Sequence, residues 1–310
     1  MQFLNILAPV FLLIGIGAVL QATNFASPNF LREANRLTYW LGLPALLFSQ
    51  LAGSFHGIAG ARVMLEAMLF STAGVTLLSY GAAWLWRMPG AAVGTFVQGG
   101  FRGNLAFVGL PIIYSLPDDQ LIGGVSVRSA AIITVAPMMV VYNVAGVVVL
   151  QLSQHKLGWS MLKPFARQLA TTPPLLATLA GILFALTGWP LPTVVDKTFT
   201  ALGEMALPLG LLGVGSSLVT VKLRGNWRWP LGSALMKTGV APVIGWLIGR
   251  WLGLGGVELK MLLILMACPT AIISYTIALE LKGDEGLASG AIVLSVLTSI
   301  VSLAVIVGWF

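Results

Sequence analysis

Phe96-Val-Gln-Gly-Gly-Phe-Arg-Gly-Asn-Leu-Ala-Phe-Val-Gly-Leu-Pro-Ile-Ile-Tyr-Ser-Leu-Pro117 is apolar and long enough to enter a bilayer, yet it is poorly suited to one continuous helix. Gly99, Gly100, Gly103 and Gly109 lower its helix propensity, and Pro111 lacks the N–H that an unbroken helix would use. Irregular backbone at bilayer depth is tolerated only where protein or a water-lined cavity satisfies its peptide groups, so a broken span points to a site. Arg102 and Asn104 lie inside the expected interruption.

Outward from this stretch, the chain is 57% hydrophobic and 9% charged, with a mean hydropathy of +0.93, a surface that no soluble domain of 310 residues could hide from water. It reads as an all-α membrane protein with ten spans, at 3–22, 33–52, 62–86, 93–116, 124–152, 169–188, 195–219, 230–252, 259–280 and 286–309. The first lacks a basic flank and a small-residue cleavage site, so it is expected to be a retained span. The lone Cys268 excludes an intramolecular disulfide. A net charge of +7 spread over loops is a topology signal and no nucleic-acid footprint.

With alternate loops placed on opposite sides, Arg32, Arg36, Arg87, Lys156, Lys163, Arg167, Lys222, Arg224, Arg228 and Lys282 share one side, against Arg62, Arg128, Lys197, Arg250 and Lys260 on the other. The richer side is assigned to the cytoplasm, leaving both termini extracytoplasmic. Residues 38–48 align weakly with 202–212, Leu43-Pro44 over Leu207-Pro208, and at the same offset the interruption at 103–111 meets a second one at Ala267-Cys-Pro-Thr-Ala-Ile-Ile-Ser-Tyr275. Five spans per half then require an inverted second half. The expected organisation is a first repeat at 1–152, a cytoplasmic connection at 153–168 and a second repeat at 169–310.

Charge inside a span costs about 2.5–3.5 kcal/mol near the helix centre, so each case asks for a reason. Arg102, roughly 14 Å from the cytoplasmic end of its span, reads as an anion anchor, or else as a structural ion-pair partner or a ligand for the broken-helix carbonyls. Glu204, one turn before Pro208, reads as a proton carrier or as the partner of Arg102 or Lys237. Lys237 is close enough to the cytoplasmic interface to snorkel, and Glu66 lies near the outer end of the third span. Gly103, Asn104, Thr270 and Ser274, with Pro269, belong to the two interruptions, and Tyr142-Asn143 to the fifth span; interhelical hydrogen bonding is the alternative for Asn143 and Ser274. Helix N-termini after each interruption would favour an anion. His56 and His155 have no ligand cluster, so neither a metal nor another cofactor is expected, and Gly213-Val-Gly-Ser-Ser217 lacks the strand and base of a nucleophile motif. No enzyme is read here.

Asn104-Leu-Ala-Phe-Val-Gly-Leu-Pro111-Ile resembles the fourth-helix signature of the auxin efflux carrier family, with further matches at Leu43-Pro44-Ala45-Leu46, Val141-Tyr142-Asn143-Val144, Leu207-Pro208-Leu209 and Cys268-Pro269. The resemblance implies two inverted five-helix repeats, a fold similar to the bile-acid sodium symporters, with broken helices four and nine crossing. Helices one, two, six and seven would be a scaffold and the rest a mobile transport domain. It also implies a substrate contact at Asn104, a pocket tyrosine at Tyr142, an acidic residue supporting transport at Glu66, a basic position at Lys237, and a homodimer. Two departures stand out: Thr172-Pro173 replaces a common Asn-Pro, and Arg102 stands where plant members carry a small apolar residue. Bacterial relatives include malonate permeases.

The expectation is a secondary transporter of small organic anions, carboxylates above all, working by alternating access in a bacterial inner membrane. Arg102, Gly103, Asn104, Tyr142, Asn143, Thr270 and Ser274 would meet the solute. Glu204, Glu66 and Lys237 would serve coupling to H+, with Na+ as the alternative ion, and Gly109, Pro111 and Pro269 would break the helices. A non-transporting sensor or assembly subunit is the competing class.

Overall fold

A computed structural model of the chain describes residues 2–52, 62–116, 121–122, 124–154, 173–220 and 227–309. The expected connection at 153–168 lies almost wholly outside the described residues, as do His56, His155 and Thr172.

Helices follow the apolar runs. The first is α1 (Gln2–Ala22). Ser27 then caps α2 (Pro28–Leu37), its hydroxyl accepting from the Phe30 N–H with Pro28 in the first turn, a standard helix start. A π-helical turn, Thr38–Gly42, carries the helical path on into α3 (Leu43–Ala52). After α4 (Arg62–Leu85) comes α5 (Gly90–Phe101), which stops at an extended Arg102. Helix resumes with a π turn at Leu105–Gly109 and a short α6 (Leu110–Tyr114). A small antiparallel hairpin, β1 (Leu121–Ile122) and β2 (Val125–Ser126), leads into α7 (Val127–Leu152).

The remainder comprises α8 (Pro173–Leu186), α9 (Thr193–Thr220), α10 (Arg228–Leu235), a π turn at Met236–Val240, α11 (Ala241–Trp251), α12 (Gly256–Ala267), α13 (Ile273–Glu280) and α14 (Glu285–Trp309). Among the described residues six helical stretches are long and apolar enough to cross a membrane: Asn5–Ala22, Arg62–Leu85, Val127–Leu152, Thr193–Val219, Arg228–Trp251 and Glu285–Trp309. This is an integral, multi-pass, all-α membrane protein apart from the short hairpin, which takes up a stretch expected as loop and the first residues of the 124–152 span.

Packing sorts the helices into two groups. In one, α1 lies along α9, and α3 packs on both α8 and α9; in the other, α4, α5, α7, α10, α11, α12 and α14 pack on one another. Glycine lets the first group close tightly: a Cβ on Gly215 would come within 2.8 Å of the Ala18 amide nitrogen, and Gly17 abuts the Leu212 backbone. With lipid as apolar as the side chains, such close backbone approach is a principal source of helix association. Replacing Gly215 with Val is expected to lower the thermal unfolding midpoint in detergent by several degrees, whereas Gly15→Ala, whose Cβ would meet nothing within 4 Å, leaves it unchanged. Equal midpoints for the two variants would show that this seam does not hold the group together.

Candidate functional site

The interruption after α5 and the one after α12 lie side by side, and each supplies what the other lacks. Gly103 and Thr270 form an antiparallel bridge: the Asn104 N–H donates to the Pro269 carbonyl at 2.7 Å, and the Ala271 N–H donates to the Arg102 carbonyl at 3.0 Å. The Thr270 hydroxyl donates to the Gly99 carbonyl at 2.9 Å, while its N–H donates to Ser295 Oγ at 2.9 Å. Main-chain groups that would be orphaned in a membrane interior are thereby paired.

The break falls at residues 102–104. Gly109 and Pro111 were expected to break this helix, but both lie within the helix that resumes at Leu105, Gly109 in its π turn and Pro111 just after; Pro269 lies in the second break itself. Asn104 caps the resumed helix, its Oδ1 accepting from the Phe107 N–H at 3.3 Å.

A cavity of about 400 Å³ opens beside the crossing, lined by Arg102 to Phe107, Met139, Tyr142, Asn143 and Ala271 to Ile273 on one side and by Asn35, Arg36, Tyr39, Trp40, Leu43 and Gly210 on another. Two helix starts, at Leu105 and Ile273, bring their N-terminal ends to it. Unpaired N–H groups and a positive dipole end favour an anion there.

Arg102 decides the electrostatics. It is 2% exposed, and its Nη2 donates to Asn143 Oδ1 while Nη1 has no partner. Among the described residues Arg102 has no carboxylate partner, and no acidic side chain lines the cavity. The buried Tyr142 hydroxyl is also unpartnered, its ring stacked edge-on against Phe101 at 5.7 Å. Gln98, one turn before Arg102 and fully buried, leaves both amide atoms unpaired. A buried guanidinium without a counter-charge is costly, and a solute anion would supply what the protein does not.

The sequence profile of the family described as membrane transport protein matches residues 3–307. The chain belongs to this family. The auxin efflux resemblance drawn from the fourth helix therefore agrees with the match, and a family of transporters is not one of enzymes. The membrane transport protein described here is also 23% identical over 150 residues to an uncharacterized transporter of Methanocaldococcus jannaschii; the alignment covers 47% of this chain and 48% of that protein, about half of each.

Not every expected residue reaches the cavity. Thr270 is engaged in the clasp, and Ser274 is buried with a free hydroxyl but does not line the cavity wall. Glu204 is exposed on α9, because Gly203 packs on Leu46, Ala206 on Gly42 and Gly210 on Phe107, which commits the opposite face of the helix to the interior. It pairs with neither Arg102 nor Lys237. Glu66 pairs with Arg62 at 2.7 Å, one turn away on the same helix. Lys237 does not snorkel; it is fully buried and its ammonium donates to the Met266 carbonyl. Gln98, Asn35 and Tyr39 were not singled out in the sequence, and only the one-turn spacing of Gln98 from Arg102 signals the first.

Gly146 leaves room for the guanidinium: a Cβ there would lie 2.7 Å from Arg102 Nη1 and 2.9 Å from Gln98 Nε2. Gly146→Ala is expected to displace Arg102 and to cost about 1–3 kcal/mol of stability by overpacking. Gly81→Ala, with nothing within 4 Å, is the reference. Matching denaturation midpoints for both would mean that Arg102 is not held as described.

Proposed function

We propose that this protein is a secondary transporter of small organic anions, carboxylates above all, and that it works by alternating access around the crossed breaks. The observation that carries this reading is Arg102, which lines the cavity where two helix N-termini converge and is buried without a carboxylate partner among the described residues. A cavity of about 400 Å³ suits a solute of small-molecule size. Arg102 and Asn104 would meet the carboxylate, with Asn143 holding the guanidinium and Tyr142 offering its hydroxyl.

The architecture we propose is ten spans in two inverted repeats. Its support is a recurrence of lengths: α4 and the stretch Arg228–Trp251 each have 24 residues, and α5 and α12 each have 12, both pairs displaced by 166 positions (Arg62 to Arg228, Gly90 to Gly256). Basic loop residues support an orientation with both termini outside, and the family resemblance adds a bacterial inner membrane to the proposal. Asn35 and Arg36 would then put the mouth of the cavity on the cytoplasmic side. The family resemblance adds a homodimer to the proposal.

Purified protein is expected to gain thermal stability with one or more members of a panel of mono- and dicarboxylates, including malonate. Arg102→Ala should weaken the response at least ten-fold in half-saturating concentration, the loss of about 1.5–3 kcal/mol typical of a hydrogen bond to a charged group. Arg102→Lys should recover only part, because a lysine keeps the charge and loses the fork. Absence of any response, or an Arg102→Ala curve overlying wild type, would end the anion reading. Proteoliposomes that bind the acid yet show no flux would favour a sensor instead.

A further inference from the structure

Lys237 is the buried charge that the anion site does not use. It is 0% exposed and lies in the π turn Met236–Val240, so its side chain crosses the protein interior to the end of α12. There the ammonium donates to the Met266 carbonyl.

That carbonyl has lost its helical partner. In a continued helix it would accept from the N–H of Thr270, but this N–H is given to Ser295 Oγ. The carbonyl of Leu265 would need an N–H from Pro269, which has none, and the N–H of Ala271 that would serve Ala267 goes to Arg102. Three consecutive carbonyls at the negative end of a half-helix are thus without their i+4 donors. Such a cluster at a broken helix is the arrangement that coordinates a monovalent cation in transporters of this general design.

The opposite strand makes room for the lysine. A Cβ on Gly103 would lie 2.9 Å from Lys237 Cε and 3.2 Å from its Nζ, so glycine at the bridge leaves the room in which the ammonium lies across the break. Among the described residues no carboxylate pairs with Lys237.

We infer that the Lys237 ammonium is a resident, tethered cation at the crossing, filling the place in which a free sodium ion would otherwise bind, so that the protein works without sodium. The inference rests on the transporter reading for its meaning in coupling, but its test needs no transported solute. Unfolding midpoints are measured in 100 mM chloride salts of sodium, potassium, methylammonium and the bulky N-methyl-D-glucamine. Wild type is expected to give the same midpoint in all four. Lys237→Ala, which empties the site, should be less stable in N-methyl-D-glucamine and regain a few degrees in methylammonium or sodium, the response of a site that is about ten-fold saturated. Lys237→Met removes the charge while keeping the volume filled, and should show no such recovery.

A sodium-specific rise in wild type overturns the inference, as does a folded Lys237→Ala indifferent to the cation, a Lys237→Met that recovers equally, or a Lys237→Ala that cannot be obtained folded in any of the salts. A carboxylate panel without effect would instead sink the anion reading while leaving this result intact.

Discussion

Peptide groups released at two helix ends, in a region where neither water nor lipid reliably satisfies them, impose the central constraint on this structure. A buried donor or acceptor left unpaired costs about 1–3 kcal/mol, so neither interruption is viable alone. They answer each other through the Asn104 to Pro269 and Ala271 to Arg102 main-chain bonds, with Thr270 anchored on Gly99 and Ser295. Residues far apart in sequence must therefore arrive together. Just before the break, Gly99 and Gly100 let the neighbouring helices close on α5, since a Cβ on Gly99 would clash with the Ser233 side chain and one on Gly100 would lie 2.7 Å from Ser79 Oγ.

The clasp also sorts the charges. Both α5 and α12 end at it with their carbonyl, electronegative termini, and each end has a cation: Arg102 directly follows α5, and Lys237 reaches the end of α12 from a neighbouring helix. The two cations differ in what they have left to give. Lys237 is closed off from the cavity and bonded to backbone, whereas Arg102 lines the cavity, is steadied by Asn143, and retains a free nitrogen. In the reading proposed above, one charge serves the break and the other serves a solute. That division explains why two buried cations coexist without a buried carboxylate to neutralise them among the described residues.

Much of this arrangement was legible in the sequence because glycine, proline and charge are rare enough in apolar spans to be informative. The Gly-rich stretch before Asn104 and the Pro269 run marked where helices fail, and Arg102 marked itself. What stayed hidden depended on helix faces. On α9 almost every position is apolar or small, so the pattern could not tell that Gly203, Ala206 and Gly210 point inward and Glu204 outward. Lys237 looked able to reach the interface from its depth alone; nothing local foretold that Gly103 makes space for it in the opposite direction. Gln98 carries little signal, since a neutral amide in a span has many ordinary explanations, and its proximity to Arg102 becomes telling only with the room that Gly146 leaves for both side chains.

The distribution of hydrogen bonds bears on the proposed motion. Every bond named at the clasp joins residues of α5, α6, α7, α12 and α14 or the turns between them, and Ser233 adds α10 through the Phe96 carbonyl at 3.0 Å. In the other group, Ser216 on α9 donates to Gln21 on α1 at 3.0 Å, again within the group. Across the cavity the Phe107 ring rests against Gly210, so near that an added Cβ would come within 2.8 Å of its Cε1. Sliding an aromatic ring off a glycine surface exchanges one apolar contact for another, and in a membrane lipid replaces it at little cost. Breaking the clasp would expose peptide groups and strand two cations. A rearrangement that moves the breaks as one piece past α9 would keep these bonds, which is what the alternating access proposed above would need.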